Sequence, residues 1–113
     1  MVAPSAGAVV LVTFPFSDLS QAKLRPAVVL AKANKNDWIL CQITSNAYSD
    51  SRTVKLSDDN FNSGSLRLVS YARPAKLFTA NAKLIDAQVG RLTNETLKQI
   101  IEAVSELLHE GLQ

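Results

Sequence analysis

The chain has 113 residues, 47% hydrophobic and 19% charged, which suits one domain over residues 1–113 with its own core and excludes a disordered tail. No run approaches the roughly 18 apolar residues of a membrane span, and the one cysteine, Cys41, rules out an internal disulfide. The net charge of +2 conceals an asymmetry: residues 1–92 carry 11 basic against 6 acidic side chains, net +5, while residues 93–113 carry 1 against 4, net −3. A basic body with an acidic end suits an anionic partner on the body.

Short strand patterns fill the first three quarters of the chain. The run "AVVLVTFPF" (8–16) is apolar and β-branched; no basic segment precedes it, so it reads as a first strand and not a secretory signal. The cytoplasm is therefore the expected compartment, with no membrane partner. After the polar loop "SDLSQAKLR" come "PAVVLA" (26–31), the turn "KANKN" and "DWILCQIT" (37–44). Cys41 lies inside that last run and reads as a buried structural thiol; Trp38 beside it reads as core. "RTVKL" (52–56) alternates, "SLRLVSYARPAKLF" (65–78) is longer and broken or bent at Pro74, and "AKLID" (82–86) reads as a short strand or turn. The separators "SNAYSDS" and "SDDNFNSG" read as loops. Many short strands at close spacing imply a small barrel. After Gly90 the pattern changes: Leu97, Ile100, Ile101, Val104, Leu107 and Leu108 share one helix face, Thr93 suits the N-cap, and Gly111 suits the stop. This helix is expected to pack on the barrel.

The residue inventory restricts the chemistry. The single histidine, His109, falls near the helix end, so a two-histidine acid–base pair within one chain is excluded, as is a zinc site of several Cys and His. No GxxxxGK phosphate loop or dinucleotide fingerprint occurs. Asp58 and Asp59 are adjacent and read as a loop surface. Arg25 precedes Pro26, and a proline disfavours helical geometry in the residue before it. If the strands holding Arg25 and Thr44 form an antiparallel hairpin, the start of one lies beside the end of the other. A guanidinium with a neighbouring hydroxyl suits a phosphate. The alternative is a strand-end hydroxyl that satisfies a loop amide.

The segments "GAVVLVTFPFSDLSQAKLRPAVVL", "CQITS", "GSLRLVSYARPAKLFT" and "GRLTNETLKQIIEAVSELL" together resemble the MazF/PemK toxins of type II toxin–antitoxin systems over nearly the whole chain. The resemblance implies a mainly β fold, a small SH3-like barrel with a C-terminal helix, and a homodimer. It implies a metal-independent, cofactor-free endoribonuclease that cuts single-stranded RNA and arrests translation, restrained by a cognate antitoxin. Carried over residue by residue, Arg25 matches the family's catalytic arginine and Thr44 its catalytic threonine, with Ser45 as the adjacent alternative. The chain departs from the pattern in two places. Ser70 and Ala72 stand where some members carry an Arg-x-Asp acid/base pair, and the loop before Arg25 has no histidine. The proton acceptor is then Asp18, a water, or nothing.

Further substrate contacts are open. Lys23 binds phosphate or is simply solvated; Arg73, which precedes Pro74, lines an RNA groove or makes a structural ion pair. Ser17, Asp18 and Gln21 are candidates for base-edge contacts. Phe14 and Phe16 stack a base or belong to the core or a dimer flank, and the apolar loop flanks Leu19 and Leu24 are compatible with a dimer. Two rival readings remain: a gyrase-poisoning CcdB-like toxin, whose C-terminal tryptophan is missing here, and a catalytically inactive relative that only binds RNA or a partner.

Overall fold

The computed structural model describes residues 4–15, 22–46 and 50–112. Among the described residues, seven strands form one sheet: β1 (Ala8–Pro15), β2 (Ala22–Lys32), β3 (Asp37–Thr44), β4 (Val54–Leu56), β5 (Phe61–Gly64), β6 (Ser70–Asn81) and β7 (Ile85–Leu92). Their order is β4-β6-β3-β2-β1-β7-β5, and the pairs are antiparallel. One helix, α1 (Asn94–Glu110), follows, and short 3-10 helices occupy Asp58–Asn60 and Ala82–Leu84. Register shifts interrupt the β1–β7, β2–β3, β3–β6 and β5–β7 ladders. Such bulges bend and twist strands, and here they curl the sheet into a nearly closed barrel.

The central strands are buried on both faces, which explains why they read as unbroken apolar runs. Ala8, Val10 and Val12 join Ala27, Val29 and Leu40 in one cluster. Their neighbours Val9, Val28, Cys41 and Ile43 point the other way, into a second cluster that Ile100 of the helix closes. Trp38 packs against the first cluster, with the Lys32 ammonium 5.7 Å from its ring centroid. Thr93 caps the helix, its hydroxyl accepting from the Thr96 amide at 3.2 Å. The Asn60 side-chain amide donates to the Thr96 hydroxyl at 3.0 Å, which ties the first helical turn to the 3-10 helix. The predicted apolar stripe is only partly used: Ile100 is buried, whereas Ile101 and Leu108 stay exposed.

Several element boundaries differ from the sequence reading. Arg25 lies inside β2, because that strand extends back to Ala22 by pairing with β1. The break or bend expected at Pro74 takes the form of a pairing gap: Cys41 faces Leu77 while Ile43 faces Ala72, so residues 73–76 oppose Gln42 alone. "FNSG", read as loop, is β5, and 82–86, read as a short strand or turn, is a 3-10 turn that leads into β7. Among the described residues no helix is long and apolar enough to cross a membrane.

Cys41 is fully buried, and desolvation pushes its thiol up to about 12, only partly offset by the Arg73 backbone amide. A thiol that stays neutral in the fold but ionises in the unfolded chain stabilises up to the unfolded value. That contribution is then lost as pH rises from the ordinary 9.0 towards about 12. Native protein at pH 8 is therefore expected to resist a thiol-reactive dye. Denaturant titrations at pH 8 and pH 10.5 should show a loss of stability that Cys41→Ala reduces by about 1–2 kcal/mol. An equal loss in both proteins removes the thiol as its source.

Candidate active site

Pro26 shapes the site. It has no amide hydrogen to give a ladder, and the β2–β3 pairing ends at Ala27 opposite Gln42. Below that point β2 stays with β1 as far as Ala22, while β3 stays with β6 to Thr44. The two strands thus fork. Continuing their register by two residues sets Arg25 across from Thr44, and directly opposed residues point to the same face of a sheet.

A cavity of about 300 Å³ occupies the fork. Lys23, Arg25 and Pro26 line it from β2, Thr44 and Ser45 from β3, and Arg67 from the segment between β5 and β6. Its described lining holds three cations and no carboxylate, so its field favours an anion. Lys23, Arg25 and Ser45 are exposed and Thr44 is half-buried. The Thr44 hydroxyl accepts the Asn46 amide at 3.2 Å, as the structural alternative expected. A hydroxyl that accepts one bond still has its own proton to donate. Ser70 also lines the cavity but is buried, its hydroxyl donating to the Leu68 carbonyl at 2.9 Å.

The other candidates separate from this group. Arg73 is not among the described residues lining the cavity. Its Nε lies 3.9 Å from Asp50, whose other oxygen accepts the Arg52 amide, so its structural reading has the direct support. Arg52 in turn donates to Glu110 at the end of α1. Ser17, Asp18, Gln21, Phe16 and Leu19 lie outside the described residues, as does the side chain of Phe14. Leu24 is half exposed at the cavity rim. Arg67 was missed by the sequence reading. "SLRLV" alternates as a strand does, but residues 65–69 form an irregular segment that folds over the fork.

A family model described as PemK-like, MazF-like toxin of type II toxin–antitoxin system matches residues 5–108. Among solved structures, MazF (Form-I) from Deinococcus radiodurans is 21% identical, with 96% of this chain and 98% of that one covered at a TM-score of 0.74. A MazE–MazF structure (Form-III) from the same organism is 20% identical, covering 93% and 95% at 0.75. An endoribonuclease in complex with its cognate antitoxin, from a mycobacterial species, is 15% identical, covering 94% and 95% at 0.74. No curated protein sequence matches significantly. The match over nearly the whole length, on a barrel of this topology, means that the chain belongs to the PemK-like, MazF-like toxin family of type II toxin–antitoxin systems.

Proposed function

We propose that the protein is an endoribonuclease that cuts single-stranded RNA, mRNA in particular, and so arrests translation. The observation that carries this is the convergence of Arg25 and Thr44 on one cationic cavity. The 2′-hydroxyl attacks the adjacent phosphorus, the O2′–P bond forms, and the P–O5′ bond breaks. The Arg25 fork holds the non-bridging oxygens and strengthens its grip as charge builds on the phosphorane. The Thr44 hydroxyl donates to a phosphate oxygen, while Lys23 and Arg67 hold the flanking backbone. Asp18 lies outside the described residues, and in this proposal a water takes the 2′-hydroxyl proton. Arg25 supplies a proton to the departing O5′ and regains it from solvent. The products are a 2′,3′-cyclic phosphate and a 5′-hydroxyl.

The cation at the phosphate is a side chain, so cleavage should proceed in a chelator. Purified, folded protein incubated with several unrelated single-stranded RNAs and EDTA is expected to leave cyclic-phosphate ends. Binding without any cutting would favour the inactive-relative reading. The comparisons give the gyrase reading no support. Relatives solved with an antitoxin support a cognate antitoxin as partner, and the family fold supports a homodimer. We place the protein in the cytoplasm, where its RNA substrate is translated.

A further inference from the structure

A second cavity, of about 290 Å³, adjoins the first and shares Leu66, Arg67 and Leu68 with it as a common wall. The two differ in chemistry. The first carries cations from β2. The second has apolar sides, including Phe61, and carries the carboxylates of Asp58 and Asp59. Both aspartates are exposed, in the first turn of the 3-10 helix. Two carboxylates repel a phosphate, so RNA backbone does not belong there. What fits is a flat apolar body with hydrogen-bond donors at its edge. Arg67 lines both cavities, beside such a body and beside the phosphate of the first. Splayed bases of single-stranded RNA are read on their Watson–Crick edges. Guanine presents two adjacent donors there, N1–H and the N2 amino group, which match the two oxygens of one carboxylate. Its O6 and N7 are acceptors for a guanidinium.

Resting on the nuclease reading above, we propose that this second cavity is a base-specificity subsite that takes a guanine of the RNA strand, with Asp58 and Asp59 on its donor edge and Arg67 beside it. The two cavities then divide the work, one holding the phosphate to be cut and the other setting where on the RNA that phosphate lies.

The test is a binding selection with a random RNA heptamer pool carrying 2′-fluoro groups, which lacks the attacking hydroxyl. Wild-type protein should enrich guanine at one position. The Asp58→Asn/Asp59→Asn variant, its folding checked by circular dichroism, should lose that enrichment. Replacing the selected guanine by inosine, which lacks the N2 amino group, should weaken wild-type binding about 10-fold and leave the variant unaffected. A pool with no guanine-enriched position, or an enrichment the variant retains, overturns the subsite and leaves an apolar protein side chain as the occupant. Cleavage is read separately on mixed RNA. Guanine-selective binding without any cutting overturns the nuclease reading and leaves the subsite standing.

Discussion

Arg25→Ala is expected to lower RNA cleavage by about 100-fold or more and to relieve growth arrest on expression, without loss of the fold. The size follows from where the charge develops. The ground-state phosphodiester carries one negative charge and the phosphorane approaches two, so a donor aimed at its oxygens is worth more at the transition state than at binding. The loss should therefore fall mainly on kcat, with KM changing little. Arg25→Lys keeps the charge but loses the planar fork that meets two oxygens together, so it should recover only part of the rate. Thr44→Val removes a neutral donor and should cost less than Arg25→Ala. Because Arg25 is exposed and outside both apolar clusters, its variants should melt within a few degrees of wild type. Full activity in Arg25→Ala, with unchanged products, would take the guanidinium out of the chemistry and leave the cavity's role unsupported.

What the sequence disclosed about this site depended on local logic. Arg25 and Thr44 come together because two consecutive strands pair as a hairpin, and both were visible as strands: "PAVVLA" and "DWILCQIT" lie between apolar clusters on both faces. The helix was equally visible, since Thr93 caps it and Ile100 anchors a regular apolar face. β5 and β7 were not. "FNSG" buries little and ends in a glycine, and within "IDAQVGRL" the stretch Asp86–Gln88 is exposed, so neither carries the alternation by which a half-buried strand is recognised. What holds them is pairing with residues distant in sequence, β7 with β1 and β5 with β7. The same reason hid Arg67. Its place at the first cavity is set by a segment folding back over strands 20 or more residues earlier, and no neighbouring residue signals that. Arg73 repeats the Arg–Pro dipeptide of Arg25–Pro26 but sits in the β6 pairing gap beside Asp50, and of its two sequence readings the ion pair has the direct support.

Gly64→Ala is expected to destabilise the protein by about 2 kcal/mol or more, lowering the melting temperature by roughly 10 °C. Two costs combine. Gly64 has φ +67°, in the left-handed region, which costs an alanine about 1–2 kcal/mol. A β-carbon there would also overlap the Val89 carbonyl oxygen and come within 2.6 Å of the Gly90 Cα, and these are backbone atoms that cannot rotate away. Gly64 and Gly90 face each other at the end of the β5–β7 ladder, so relief requires the strands to part. That separation reaches the site, because residues 65–69 follow directly and bring Leu66, Arg67 and Leu68 to the wall between the two cavities. The surviving folded fraction should therefore cut RNA more slowly than wild type when assayed well below its melting temperature. Gly111→Ala is the control: φ is −73°, and the nearest atom to its β-carbon, the Leu108 carbonyl oxygen, is 3.5 Å away. That variant should melt and cut like wild type. If Gly64→Ala melts within about 2 °C of Gly111→Ala, the close approach of β5 and β7 is not what holds the partition in place.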